Sequence, residues 1–219
     1  KTEDGQNISM LQRVFEQLKD SDIGADITVT AAALQVDSIR KQLGNEVSLI
    51  VEPERRNTYP AICLACAGLL KEGKALRDEV VIIMPVDVWA QKGYFECFRT
   101  MQETVKTEEA ELALLGVKPT YPSAKYGYIS VAENEKAKRH GVYSVRKFEE
   151  KPSEEKAQCL IDSGAFWNAG VFAVSIGYVL DKVRDELGDD SYDFILSHYS
   201  ELENISFDYK IVEKAKKTA

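Results

Sequence analysis

The sequence lacks any apolar run that is long enough to cross a membrane. It also shows no secretory signal at its start, so we predict a cytoplasmic protein with no membrane partner. Basic residues are in the minority, because 28 Lys and Arg face 36 Asp and Glu and give a formal net charge of −8. A nucleic-acid partner usually requires a basic face, so this balance argues against one. A few local Lys or Arg still suffice to hold the phosphate of a small substrate.

Cysteine is scarce as well, and the four present do not reach the density of a disulfide scaffold. Cys63 and Cys66 form a Cys-x-x-Cys pair in an alanine-rich helical segment. No second Cys or His pair completes a metal or redox site around them. We therefore interpret the pair as two small apolar residues of a helix.

What the sequence does have is a regular alternation of strand and helix patterns over 219 residues, a length that fits one domain with a sizeable core. The predicted strands are Asp26–Ala33, Val47–Val51, Glu79–Met84, Ala110–Val117, Tyr128–Ala132, Val142–Phe148 and Phe166–Val174. The predicted helices are Ser9–Asp20, Gln35–Leu43, Tyr59–Lys71, Tyr94–Lys106, Ser153–Ser163, Ile176–Leu187 and a last one that Ser206 begins. Short connections between alternating elements predict an α/β fold with a doubly wound, mostly parallel sheet covered by helices.

Two strand predictions carry more detail. The continuous apolar run of Glu79–Met84 is typical of a strand covered on both faces. Tyr128–Ala132 and Val142–Phe148 predict a hairpin with a polar tip. Ligands of doubly wound sheets lie beyond the carboxyl ends of the strands. Three of the motifs below follow a strand, after Val51, Met84 and Val117, and are therefore expected near one edge.

The first motif, Glu52 to Ile62, joins a strand to a helix. A helix start presents free N–H groups and a positive dipole end, which suit an anion or the polar edge of a base. Asn57 or Thr58 would serve equally well as a helix cap, and the sequence alone favours the cap. The second motif, Met84-Pro85-Val86-Asp87, ends a strand with a carboxylate. Asp87 there is as typical of a Mg²⁺ ligand as of a turn cap.

Two more motifs follow along the chain. Gly116–Ile129 contains Pro119-Thr120, Pro122 and Tyr126-Gly127-Tyr128, where Gly127 would let the backbone approach a ligand closely. Glu150-Lys151-Pro152 is followed, after a helix, by Trp167-Asn168-Ala169-Gly170-Val171-Phe172. These segments offer a cation, an acceptor carboxylate and an amide to one polar ligand.

In this order, the motifs resemble those of the sugar-1-phosphate nucleotidyltransferases, the mannose-1-phosphate guanylyltransferase family in particular. The resemblance extends from about Ser9 to Lys214 and includes Ser206–Lys214, in which Asp208 is interpreted as structural because it favours the helix dipole. It implies a Rossmann-like mixed sheet of the nucleotide-diphospho-sugar transferase fold with a sugar-binding hairpin region.

The resemblance also implies site residues. Those expected to bind the nucleotide are Glu52, Arg56, Asn57, Thr58, Pro60 and Pro85. Those expected to bind the sugar are Gly127, Glu150 and Asn168. Lys151 is expected to pair with the sugar phosphate, and Asp87 to hold Mg²⁺, so that both are catalytic.

The Gly-Gly-x-Gly-x-Arg loop with which the family begins, and its second metal-binding Asp, match no segment of this chain. We therefore expect residues 1–219 to be a single nucleotidyltransferase domain that is incomplete at both ends. On its own this stretch should show no turnover, and a missing central strand should leave it poorly soluble.

The implied reaction joins GTP and mannose 1-phosphate, with Mg²⁺ as cofactor, to give GDP-mannose and pyrophosphate. The partners are then GTP and a sugar 1-phosphate, and a homo-oligomer is left open. Uridylyl or thymidylyl transfer to glucose 1-phosphate is an alternative, as is a non-catalytic regulatory subunit that binds sugar nucleotides. A glycosyltransferase is disfavoured because no Asp-x-Asp element ends a strand.

Overall fold

The computed structural model describes residues 7–21, 23–88, 90, 92–132 and 141–219. The helices are α1 Met10–Asp20, α2 Val36–Leu43, α3 Thr58–Lys71, α4 Lys92–Lys106, α5 Glu154–Asp162, α6 Ile176–Leu187, α7 Tyr192–Ser197 and α8 Phe207–Lys210. The strands are β1 Thr28–Ala32, β2 Ser48–Glu52, β3 Val80–Ile83, β4 Leu112–Val117, β5 Tyr128–Val131, β6 Val145–Glu149 and β7 Phe166–Ser175. Short 3₁₀ turns cover Ala33–Gln35, Tyr199–Glu201 and Val212–Lys214.

Serine side chains cap the start of several of these helices. Ser9 caps α1 and shares a capping box with Gln12. Ser153 caps α5 by accepting the Lys156 N–H, and Ser206 caps α8 by accepting the Tyr209 N–H. Each cap satisfies a backbone N–H that has no partner inside its helix, so the short polar residue defines where the helix starts.

The strands form two sheets in the described part of the chain. β1 and β2 pair in parallel, whereas β7 is antiparallel to β3, β4 and β5, and β5 is antiparallel to β6. Among the described strand pairs only β1–β2 is parallel, whereas the alternation of strands and helices predicts a mostly parallel sheet. The physical reason is that β7, ten residues long, lies between β3 and β4, so that these two run in the same direction without pairing to each other.

Helices cover both faces of the larger sheet, which is the doubly wound arrangement. Along β4, Leu112 and Leu114 face one apolar cluster with α3 and α6, and Ala113 and Leu115 face another with α4. This alternation follows from the two-residue side-chain period of a strand. Cys63 and Cys66 are buried free thiols of the first cluster, in agreement with the predicted packing role.

The strand β3, the β5–β6 hairpin and helix α7 differ in how well the sequence predicts them. β3 is covered on both faces as predicted, since Val81 and Ile83 pack against the first cluster and Val80 and Ile82 against the second. Only Val80 of these four is buried, because β3 pairs on one side only within the described residues. The β5–β6 hairpin is confirmed, although its tip at 133–140 lies outside the described residues. Helix α7 was not predicted.

No helix in the described ranges is long and apolar enough to cross a membrane.

Candidate functional site

The β2–α3 loop, in which we include the last residue of β2 and the first turn of α3 (Glu52–Pro60), carries five of the six residues predicted to bind the nucleotide. Asn57 is the cap of α3, and its Oδ1 accepts the Thr58 N–H at 2.9 Å, so the structural alternative for this residue is present. Pro60 is buried in the first turn of α3. Glu52, at the end of β2, accepts a hydrogen bond from the Tyr199 hydroxyl at 2.7 Å. Burial and then this carboxylate raise the pKa of Tyr199.

A segment far along the chain binds this loop. We call Leu202–Asp208 the C-terminal strap. Arg56 Nη2 donates to the Leu202 carbonyl at 2.8 Å, and Thr58 Oγ1 accepts the Phe207 N–H at 2.9 Å. The backbone N–H of Asn57 donates to Asn204 Oδ1 at 3.1 Å. Arg56 and Thr58 therefore use polar atoms to hold the strap, a role that sequence reasoning did not assign to them.

A second group of predicted residues meets at the start of β5, the end of β6 and the first half of β7. The Asn168 N–H donates to the Gly127 carbonyl at 2.8 Å, and the Lys151 N–H donates to the Tyr126 carbonyl at 3.2 Å. Lys151 Nζ lies 2.9 Å from Glu150 Oε1. The structure thus brings together all four residues predicted for the sugar and its phosphate: Gly127, Glu150, Lys151 and Asn168.

Asp208 joins this group from the first turn of α8. Its Oδ1 accepts a hydrogen bond from Asn168 Nδ2 at 2.8 Å. In the sequence, Asp208 is recognisable only as the residue in the first helical turn after the cap Ser206. That position does not predict a contact with Asn168, which lies 40 residues earlier. The contact is therefore one that sequence reasoning missed.

The charges of this group are mutually dependent. The Glu150 carboxylate, only 8% exposed, raises the pKa of Lys151 chiefly through their hydrogen bond. Lys151 Nζ also lies 5.9 Å from the centre of the Tyr209 ring. Burial, followed by the nearby Glu150 charge, raises the pKa of Asp208 to about 6. Two carboxylates thus flank one lysine that remains half exposed and available to a phosphate.

The end of β3 approaches the same group. Pro85 Cγ lies 4.0 Å from the position that a side-chain carbon on Gly170 would take. Gly170 has a φ of 70° in the left-handed region, which glycine adopts at little cost. Asp87 follows Pro85 in an exposed turn.

The donor set around Asp87 limits what ion it can hold. Among the described residues, no group of three or more His, Cys, Asp or Glu forms a metal site. Mg²⁺ commonly takes one or two protein carboxylates and completes its coordination with phosphate oxygens and water. A single exposed carboxylate such as Asp87 therefore fits a Mg²⁺ that is shared with substrate phosphates, not one held by protein side chains alone.

Aromatic rings fix the loop that leads to Gly127. The rings of Tyr121 and Tyr126 each lie 5.0 Å, centre to centre, from the ring of Trp167 on β7. Edge-to-face and tilted contacts of this kind are favourable arrangements of aromatic pairs. They hold the 121–127 loop against β7 and so help to place Gly127 beside Asn168.

The close packing of Gly127 leads to a prediction. A side-chain carbon at this position would lie 2.5 Å from Glu150 Oε2 and 2.8 Å from Phe148 Cζ. Because Glu150 is nearly buried, we expect Gly127→Ala to displace its carboxylate and to lower the free energy of unfolding by about 1–3 kcal/mol, the usual cost of overpacking. Chemical denaturation measures this change. Gly93→Ala is the control, because nothing lies within 4 Å of a side-chain carbon there. Equal stability of both variants would contradict the prediction.

A cavity of about 200 Å³ lies elsewhere, between α4, β4 and the β5–β6 hairpin. Its mostly apolar lining includes Met101, Leu115, Tyr143 and Phe166. None of the predicted site residues lines it. The cavity is therefore separate from the candidate site.

Comparison with known proteins adds independent findings. The family described as Nucleotidyl transferase matches residues 4–209. The Klebsiella pneumoniae protein named mannose-1-phosphate guanylyltransferase is 30% identical over 237 residues, which cover 96% of this chain and 48% of that protein. The Pseudomonas fluorescens alginate biosynthesis protein AlgA is 34% identical over 153 residues, covering 67% of this chain and 30% of AlgA. The chain thus spans less than half the length of these two relatives.

A solved structure supports the fold. The Thermus thermophilus protein named mannose-1-phosphate geranyltransferase superposes with a TM-score of 0.80 at 29% identity, over 99% of this chain and 64% of that one. The predicted α/β fold of the nucleotide-diphospho-sugar transferase type is therefore confirmed.

Proposed function

Because the chain belongs to the nucleotidyl transferase family, we propose that it forms the catalytic part of an enzyme that transfers a guanylyl group from GTP to mannose 1-phosphate. The products are GDP-mannose and pyrophosphate. One observation carries the proposal: Gly127, Glu150, Lys151 and Asn168, predicted from separate motifs, converge at one place. The relatives named mannose-1-phosphate guanylyltransferase support the choice of sugar and base.

In the proposed reaction, an oxygen of the sugar 1-phosphate attacks the α-phosphate of GTP in line with the leaving pyrophosphate. The bond from the α-phosphorus to the oxygen that joins the α- and β-phosphates of GTP breaks as the new bond forms, and that oxygen leaves with pyrophosphate. The protein contributes positioning and charge neutralisation, and forms no covalent intermediate. Mg²⁺ held between Asp87 and the phosphates would supply further positive charge at the reacting centre.

Lys151 acts on the sugar phosphate in this scheme. Its ammonium group is half exposed, and the ion pair with Glu150 keeps it next to the residues that are expected to bind the sugar. A lysine is a compact point charge that suits a phosphate. Glu150 and Asp208 are both negative, so Lys151 supplies the positive charge that a phosphate needs at this place.

Glu150 and Asn168 recognise sugar hydroxyls in the proposed complex. Glu150 is nearly buried, and a buried polar group that loses its partner costs more free energy than the net gain of an average hydrogen bond. A sugar whose hydroxyls are placed differently would leave such a group unpaired. This is the physical basis for expecting discrimination between mannose and glucose 1-phosphates.

The base preference tests the proposal. We expect the full-length protein to use GTP and mannose 1-phosphate with a higher kcat/KM than UTP or dTTP and glucose 1-phosphate. Coupled detection of pyrophosphate with each nucleotide and sugar pair measures this preference. A clear preference for UTP or dTTP would move the protein to uridylyl or thymidylyl transfer. Nucleotide-sugar binding without any turnover would indicate a regulatory subunit.

A further inference from the structure

The Asn168 side chain is held at both ends of its amide. Nδ2 donates to Asp208 Oδ1 at 2.8 Å, and Oδ1 accepts the Gly170 N–H at 3.1 Å. An ionised carboxylate offers only acceptors, and a backbone N–H offers only a donor. These two contacts therefore determine which end of the amide is the oxygen and which is the nitrogen.

The reversed orientation of the amide is unfavourable on both sides. It would place Oδ1 against the Asp208 carboxylate and Nδ2 against the Gly170 N–H, with two like groups facing each other in each case. In the observed orientation, the contact to Asp208 uses one of the two N–H donors of the amide, and the contact to Gly170 uses one of the two lone pairs of its oxygen. One N–H and one lone pair remain for a ligand, and their positions are fixed.

Asp208 is anchored independently of Asn168. The rest of the strap binds the β2–α3 loop through Leu202, Asn204 and Phe207. The Tyr59 N–H adds a hydrogen bond to the Ile205 carbonyl at 3.2 Å. An acceptor that is held by four contacts to another loop can impose an orientation on Asn168 instead of following it.

We propose that Asp208 is a positioning residue of the sugar site, which fixes the Asn168 amide and thereby the polarity of the hydrogen bonds that Asn168 offers to a hydroxyl of the sugar 1-phosphate. This inference rests on the proposed function. Asp208 acts through Asn168 and touches no reacting atom. Because Asp208 belongs to the strap, it also connects the residues expected to bind the sugar with the β2–α3 loop, which is expected to bind the nucleotide.

The first test separates sugar use from nucleotide use in the full-length protein. Asp208→Ala removes the acceptor, and we expect kcat/KM for the sugar 1-phosphate to fall roughly ten- to hundredfold, the scale of a hydrogen bond to a charged group. The KM for GTP should change less than about threefold, since the anchors of the strap remain. Asp208→Asn keeps an oxygen that Nδ2 of Asn168 can bind, so it should recover most of the loss.

The second test uses the coupling of the two side chains. If Asp208 acts through Asn168, adding Asp208→Ala to Asn168→Ala should lower kcat/KM for the sugar 1-phosphate little further. Independent effects that multiply would overturn the inference. Circular dichroism and thermal melting identify any variant that does not fold. If Asp208→Ala does not fold, Asp208→Leu takes its place, because it keeps the size of the side chain without an acceptor and should show the same loss of sugar use, whereas normal sugar kinetics would overturn the inference.

Glu213→Ala is the matched control, an exposed carboxylate five residues further on in the 3₁₀ turn, and it should behave as the unmodified protein. Normal sugar kinetics of Asp208→Ala would refute the positioning role while leaving the proposed function intact. An equal loss for sugar and nucleotide would refute it too. An unmodified protein without turnover on any sugar 1-phosphate would instead overturn the proposed function and this inference with it.

Discussion

Asp87→Asn should lower turnover of the full-length protein by roughly two to four orders of magnitude, the scale of losing a main electrostatic stabiliser of the transition state. The substitution keeps the size of the side chain and removes its charge, so that the carboxylate no longer binds a Mg²⁺ shared with the phosphates. The turn is exposed, and we therefore expect no more than about 0.5 kcal/mol change in the free energy of unfolding. Steady-state pyrophosphate release at limiting Mg²⁺ measures the effect.

Asp78→Asn is the matched control for this experiment. Asp78 lies in an exposed turn that precedes β3, whereas Asp87 follows the carboxyl end of the same strand. Both substitutions remove one exposed negative charge, so a general charge effect would appear in both. Near-normal turnover of Asp87→Asn at limiting Mg²⁺ would assign Asp87 to turn capping, the alternative that its sequence position leaves open.

The elements of this fold could be predicted from the sequence because each depends on local chemistry. The caps Ser9, Ser153 and Ser206 satisfy nearby N–H groups, and the apolar period of the segments between them distinguishes helix from strand. Pairing of strands depends on distant residues instead. β7 therefore could not be placed between β3 and β4 from its own pattern, although its existence and ends were predicted closely.

Helix α7 was missed for a related reason. It has six residues, and only Ile195 within it is buried. A helix of fewer than two turns provides too little apolar period to recognise, and its position is decided by packing on α3.

The candidate site was predictable in its members and not in their contacts. Gly127, Glu150, Lys151 and Asn168 were named from motifs, and the structure brings them together. Their roles towards a substrate stay predictions. The strap contacts of Arg56 and Thr58 join residues 146 and 149 positions apart, and no local pattern encodes such a distance. Sequence reasoning consequently gave these residues only a role towards the nucleotide, which stays a prediction, and missed the contacts that they make within the fold.

Lys151→Ala should weaken use of the sugar 1-phosphate and leave use of GTP largely unchanged. Lys151 Nζ is half exposed and lies beside Glu150, and its backbone φ of 48° places the residue in a left-handed turn that directs it away from a regular strand. Loss of a charge-assisted contact to phosphate costs about 1.5–3 kcal/mol. This corresponds to a decrease of about 10- to 150-fold in kcat/KM for the sugar 1-phosphate. Steady-state kinetics with each substrate varied separately measure the two effects.

Lys147→Ala provides the comparison that decides between a phosphate ligand and a solvated lysine. Lys147 lies within β6, four residues before Lys151, is exposed and pairs with Glu149, so its removal changes the net charge equally. A surface lysine would change the free energy of unfolding by no more than about 0.5 kcal/mol and leave kinetics alone. If Lys151→Ala matches Lys147→Ala in KM and kcat for the sugar phosphate, Lys151 is such a lysine. The role of the adjacent Glu150 is then weakened as well, because the ion pair would hold no ligand charge in place.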